Sequence, residues 1–227
     1  MFDLSPDRLL NLLDVATEAA LAGGAVLESF LADREQLTAS IEEKGRSGDL
    51  VTVADRSAEA AVIAVLQRLG AQLAPEIGIL AEESGRIDSS QSNSGNGNES
   101  EALWAIDPLD GTTNFAHAYP FACVSIGLVV GGRPVLGVVY DPFRRELFRA
   151  AQGLGATRNR QPIQVSAIDQ LSRSLLVTGF AYDRRTTTDN NYREFCYLTH
   201  LTQGVRRGGS AAIDLAYVAC GRLDGYW

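Results

Sequence analysis

The chain has 227 residues, 45% apolar and 21% charged, with 28 acidic and 20 basic side chains and a formal net charge of −8. That length carries one large domain or two small ones around a substantial core, and the composition excludes a disordered chain. An acidic protein without a block of Lys and Arg is poorly built to neutralise nucleic-acid phosphates, and its longest uncharged apolar run, Ala122–Val130, falls short of the ~20 residues of a bilayer span.

Ser5-Pro6 opens a helix, a cap residue followed by proline at the first helical position. Leu9, Leu12, Leu13, Ala16, Ala20, Gly23, Leu27 and Phe30 recur at three- and four-residue steps as its apolar face. Gly23 and Gly24 each cost about 1 kcal/mol against alanine in a helix, so another element is expected to pack closely there. A second helix follows Thr52, with Ala58, Ala61, Val62, Val65, Leu66 and Leu69 on one side. Ile77–Ala81 reads as a buried strand, and residues 85–101, rich in Ser, Asn and Gly, read as a mobile surface loop.

Leu103–Ile106 reads as a short strand ending at Asp107. Cys123–Val130 and Pro134–Tyr140, separated by Gly131-Gly132-Arg133, read as an antiparallel hairpin. Glu146–Ala150 adds a strand and residues 153–156 a turn. Leu175–Thr178 is a strand candidate, Asp189–Leu201 a helix candidate, and Ser210 caps a last helix that runs to Cys220 and stops at Gly221. Strands and helices mix without regular alternation, which points to a layered α/β fold rather than a barrel. The division expected is an α+β part over about 1–150 and an α/β part over about 151–227. The start, MFDLSPDRLL, lacks the basic region of a secretory signal. Cys123, Cys196 and Cys220, odd in number and far apart, fit reduced thiols in a cytoplasm.

Acidic stations carry the chemistry: Asp49 to Asp55 in DLVTVAD, Glu82-Glu83-Ser84 after a strand, and Asp107-Pro-Leu-Asp110 followed by Gly111-Thr112-Thr113-Asn114. Carboxylates at strand ends can converge on one sheet edge, where hard divalent cations take oxygen ligands. Asp107 and Asp110 flank a proline-stiffened turn whose Leu109 carbonyl can face the same point. Magnesium prefers a few carboxylates plus water and substrate phosphate, and two such ions can activate a water and stabilise a leaving oxygen. Each station has a plainer reading too: Thr52 and Asp55 as a capping box, Glu82-Glu83 as a solvated loop start, Asp107–Gly111 as a turn. No GxGxxG or Walker-type loop is present, which disfavours a dinucleotide enzyme.

DLVTVAD, AEES and WAIDPLDGTTNFAHAYP, in that order, together with GSAAIDLAYVACGRLDGYW, resemble the inositol monophosphatase family over nearly the whole chain. The resemblance implies a five-layered αβαβα sandwich of the sugar-phosphatase type, homodimeric, and hydrolysing a phosphate monoester with Mg2+ and sensitivity to lithium. It implies that Glu82, Asp107 and the Leu109 carbonyl hold a first magnesium and that Asp107 and Asp110 hold a second. Asp55, Thr112 and Glu82 would orient the attacking water. Asp110, the amides of Gly111 and Thr112, and Ala211 would meet the substrate. Lys44, the single lysine beside nineteen arginines, would lie near the phosphate or else be an exposed loop residue. His117 reads as structural, and Arg206-Arg207 as a solvated strand end.

The substrate implied is a small phosphorylated polyol, myo-inositol 1-phosphate first. Fructose 1,6-bisphosphate, histidinol phosphate and a 3′-phosphonucleotide are alternatives served by the same chemistry. In relatives a segment like GRLDGYW is followed by an acidic residue and a Trp-Asp motif whose aspartate also ligates the second magnesium. The sequence stops at Trp227, so the expectation is an incomplete C-terminal part and a weakened catalyst, or a non-catalytic metal-binding relative. Asp224 belongs to the upstream segment and does not substitute for that ligand.

Overall fold

The computed structural model describes residues 2, 4–32, 41–43, 50–87, 102–181 and 183–227, with backbone alone for 41–43 and 50–52. Helix α1 (Pro6–Ala32) begins where the Ser-Pro pair places it, with the Leu9 amide bonded to the Ser5 carbonyl at 2.9 Å. By length and composition α1 is apolar enough to cross a membrane, a possibility that a search for uninterrupted apolar runs overlooks. Here its apolar stripe, from Leu9 to Phe30, is buried in the core against helix α2 (Val53–Val65) and the large sheet. The glycine pair has the expected packing role: a Cβ on Gly23 would stand 2.8 Å from Cγ2 of Val62. Past Val65, α2 continues as a π-helical turn over Leu66–Gly70.

Strands β1 (Ile41–Glu43) and β2 (Leu50–Thr52) form a small antiparallel pair. The large sheet contains β3 (Gly78–Ala81), β4 (Gly85–Ile87), β5 (Ala102–Asp110), β6 (Cys123–Val130), β7 (Arg133–Asp141), β8 (Glu146–Ala151), β9 (Gly155–Arg158) and β10 (Gln161–Pro162), in the order β10-β9-β8-β7-β6-β5-β3-β4. Every pairing is antiparallel except β3 with β5. That parallel pair sets the ends of β3 and β5 side by side, placing Glu82 next to Asp107: the Glu82 amide donates to the Ile106 carbonyl at 3.2 Å.

The structure departs from the sequence reading at several boundaries. Gly85–Ile87 is a strand rather than the start of a loop, because it covers the edge of β3 and packs Ile87 on the core; residues 88–101 lie outside the described residues. Strand β5 runs on through Asp110 instead of ending at Ile106. The expected turn at 153–156 closes early and yields β9 at Gly155.

A short helix α3 (Thr112–Ala116) follows β5. The second sheet is parallel, β11 (Leu175–Val177) between β12 (Gly204–Arg206) and β13 (Gly225–Tyr226). Helix α4 (Tyr192–Leu201) packs on β12 and starts three residues later than expected, because Asn191 takes a left-handed φ of 65° and Asn190 and Asp189 bond within the preceding turn. Helix α5 (Ala211–Ala219) lies between the sheets, touching β6 and β7 on one side and β13 on the other. The layers are thus α1 and α2, the large sheet, α5, the small sheet, and α4: an αβαβα sandwich.

Candidate functional site

The site is built at the C-terminal end of β5. Asp107 pairs with Ser125 and Asp110 with Cys123, so three steps on β5 face two on β6 and the strand bulges at Pro108-Leu109. Proline is tolerated at such a bulge because no ladder hydrogen bond is asked of it, and bulges re-aim the flanking side chains. Asp107 Oδ1 accepts from the Leu109 amide at 3.1 Å. Gly111 then turns the chain with φ at 103°, and a Cβ there would lie 2.9 Å from the Phe121 carbonyl oxygen, so this turn requires glycine.

The turn aims Thr112 at Asp55, which is 2% exposed on the first turn of α2. Thr112 Oγ1 lies 3.1 Å from Asp55 Oδ1 and 3.1 Å from the Leu109 carbonyl oxygen. A hydroxyl has one proton for these two acceptors, and an ionised carboxylate is the stronger of them. The Thr52 side chain, on which the capping-box reading turns, lies outside the described residues.

Glu82, Asp107 and Asp110 repel one another. Burial first, then the charges of Asp110 and Glu82, push the Asp107 carboxyl up to about 8. Asp110 is raised by burial, against the pull of the Ala212 amide, the Ser210 hydroxyl and the Ala211 amide, which favour its charged form. As the side chains stand, no three of the described His, Cys, Asp and Glu residues close around one point. Asp107 turns an oxygen to the Leu109 amide, and Asp110 Oδ2 takes the Ser210 hydroxyl at 2.9 Å and the Ala212 amide at 2.6 Å. The donor set nevertheless fits a divalent cation: the oxygens are hard, Asp107 and Asp110 are half-buried beside the exposed Glu82, and the like charges gathered there disfavour ionisation of Asp107 and Asp110 until a cation joins them.

Of the expected residues, the structure brings Asp55, Glu82, Asp107, Leu109, Asp110, Gly111 and Thr112 together. Ala211 stands at the first position of α5, beside Asp110. Lys44 and Asp49 lie outside the described residues. Asp224 holds the Leu175 amide at 2.6 Å, a structural bond that opens β11. Cys123 is buried, Cys196 exposed and Cys220 intermediate, all as free thiols.

The sequence reading missed Glu59, whose buried carboxylate accepts from the Glu83 and Ser84 amides. A glutamate at a core-facing position four residues after Asp55 was the available signal. It also took Ser210 only as a helix cap; Ser210 does cap α5 through the Ile213 amide, and it binds Asp110 as well.

The fold and this acidic centre define a class, the layered α/β phosphatases. The chain belongs to the inositol monophosphatase family, whose model matches residues 9–227. It is 60% identical to an inositol-1-monophosphatase of Synechocystis sp. over 98% of this chain and 72% of that protein. It is 39% identical to the Nus factor SuhB of Pseudomonas aeruginosa over 95% of this chain and 76% of that protein. The solved inositol monophosphatase of Anabaena (Nostoc) sp. PCC 7120 superposes with a TM-score of 0.80 at 58% identity, covering 96% of this chain and 75% of that one. Members of the family are phosphoric monoester hydrolases that use divalent metal ions.

Proposed function

We propose that the protein hydrolyses myo-inositol 1-phosphate to myo-inositol and phosphate with magnesium. The observation that carries this reading is the Thr112–Asp55 hydrogen bond set against the Leu109 carbonyl and the three carboxylates. Glu82, Asp107 and the Leu109 carbonyl would hold one magnesium, and Asp107 with Asp110 a second. Bound there, magnesium supplies Lewis acidity and a water of lowered pKa, and it reverses the negative field that would repel a phosphate dianion.

The chain's own residues do the rest. With its proton on Asp55, Thr112 presents an oxygen lone pair to the attacking water. That water can pass a proton to Thr112 as Thr112 passes its own to Asp55. Glu82, held beside Asp107 by the parallel β3–β5 pair, fixes the water from the other side. The amides of Gly111 and Thr112 receive phosphate oxygens, and Ala211 and Asp110 face the polyol.

The 60% identity to a protein named inositol-1-monophosphatase supports this choice of substrate. A phosphate-release screen over myo-inositol 1-phosphate, fructose 1,6-bisphosphate, histidinol phosphate and a 3′-phosphonucleotide at saturating magnesium tests it. The inositol ester should give the highest kcat/KM, and preference for another of the four overturns the substrate assignment. The same reading includes a cytoplasmic homodimer inhibited by lithium, supported by the family resemblance and by three unpaired cysteines.

A further inference from the structure

We propose that Glu59 is a positioning residue that fixes the Glu82-Glu83-Ser84 turn so that Glu82 meets the same cation as Asp107, an inference that rests on the metal-dependent reading above. Glu59 is 2% exposed on the inner face of α2, one turn beyond Asp55. Its Oε2 accepts from the Glu83 amide at 2.8 Å, its Oε1 from the Ser84 amide at 2.9 Å, and the Ser84 hydroxyl also donates to Oε1. Successive amides and a hydroxyl converging on one buried carboxylate hold a turn in a single conformation, because the Glu59 carboxylate, shut away from water, loses its compensation when they let go.

Glu82 is therefore secured from both directions. Its own amide is bonded to the Ile106 carbonyl, immediately before Asp107, and the two residues after it are clamped to α2. Because α2 also carries Asp55, this one helix sets the positions of the proposed base and of a proposed metal ligand from the neighbouring turn. Groups that orient ligands without touching the metal can change its affinity by 10–100-fold.

The test is calorimetric magnesium binding to the wild type, Glu59→Gln, Ser84→Ala and the control Val62→Ala, each with its thermal midpoint. Val62 is buried on the same helix but packs on Gly23, away from the turn. Glu59→Gln, which sets an amide group against a backbone donor, should weaken magnesium binding about tenfold. Ser84→Ala, which removes a single donor, should weaken it about two- to threefold and serves if Glu59→Gln fails to fold. Val62→Ala should lower the midpoint and leave the magnesium Kd within twofold of wild type. Magnesium binding that is normal in both Glu59→Gln and Ser84→Ala, or equally weakened in Val62→Ala, overturns the positioning role while the metal reading stands. A wild type that takes up no magnesium overturns the metal reading, and the role of Glu59 with it.

Discussion

The Thr112 hydroxyl reaches Oδ1 of Asp55 at 3.1 Å, joining the turn after the central bulged strand to a helix 57 residues earlier in the chain. The contact depends on three local features: the bulge at Pro108-Leu109, the left-handed Gly111, and the burial of a charged residue on the first turn of α2. Together they set the Thr112 hydroxyl against a buried carboxylate, the pair proposed to take the proton of the attacking water.

Asp55→Asn and Thr112→Ala should each lower turnover by ~10²–10⁴ while leaving most of the magnesium affinity, because they remove proton transfer and not a proposed ligand. Steady-state kinetics beside a magnesium titration reads the two effects separately. Turnover by Asp55→Asn at the wild-type rate would return Asp55 to a purely structural role.

Gly111→Ala should cost about 1–2 kcal/mol from the left-handed backbone alone. The added Cβ, 2.9 Å from the Phe121 carbonyl oxygen and 3.1 Å from the Ala122 Cβ, should also shift Thr112 and lower turnover. A thermal melt and an activity assay check both; an unchanged midpoint would mean that the turn tolerates a side chain.

The acidic centre should make the metal-free protein sensitive to pH in an unusual direction. Asp107 is raised from 3.8 to about 8 and Asp214, buried on the first turn of α5 near Asp110, to about 7, each chiefly by burial, and Asp110 is raised as well. An acid whose folded pKa exceeds its unfolded value binds more protons folded than unfolded, so its contribution falls as pH rises through the window between the two. Without metal, the melting midpoint should therefore drop between about pH 5 and pH 8, and magnesium should restore it at the upper end by binding the ionised form. Asp107→Asn should flatten the slope. A metal-free midpoint that climbs across this range would contradict the raised pKa values, and with them the burial and mutual repulsion of these carboxyls.

Arg222 grips both oxygens of Glu146, at 2.5 and 2.6 Å, and stacks on the Tyr217 ring at 4.6 Å, tying the segment after α5 to β8. Glu146→Gln should cost about 1 kcal/mol, since the pair is partly open to solvent, and lower the midpoint by roughly 2–4 °C. The bonding to Arg222 lowers the Glu146 pKa from 4.5, so the pair's contribution is present above that value and lost as pH falls through the lowered one. Equal midpoints for mutant and wild type at neutral pH would make the pair ornamental to stability.

Much of the molecule could be read in the chain because its signals were local. The Ser-Pro start of α1, the apolar stripe that meets α2, and the hairpin around Gly131-Gly132 each lie within a single window of sequence. The WAIDPLDGTTNF string gave the acidic centre in the same way. What stayed hidden depended on distant partners. By sequence β5 stops at Asp107, because Pro108 reads as a breaker, and only pairing with β6 shows that the strand bulges and continues to Asp110. Gly85–Ile87 looked like the start of a polar loop until β3 supplied its partner. Glu59 and Ser210 carry side chains common at surfaces and caps, and their roles emerge only when residues 83–84 and Asp110 are placed against them.

In the proposed reaction the carboxylates of Glu82, Asp107 and Asp110 hold magnesium, and Thr112 and Asp55 activate the water that hydrolyses a phosphate monoester. The most direct measurement is phosphate release from myo-inositol 1-phosphate by metal-stripped protein, followed as magnesium is added and then removed with excess chelator. Metal-dependent hydrolysis of this kind requires no turnover without metal, saturable activation by magnesium, loss on chelation, and poor replacement by calcium, whose longer and looser coordination misplaces the water. Full turnover in excess chelator, or magnesium uptake with no phosphate released, would contradict it.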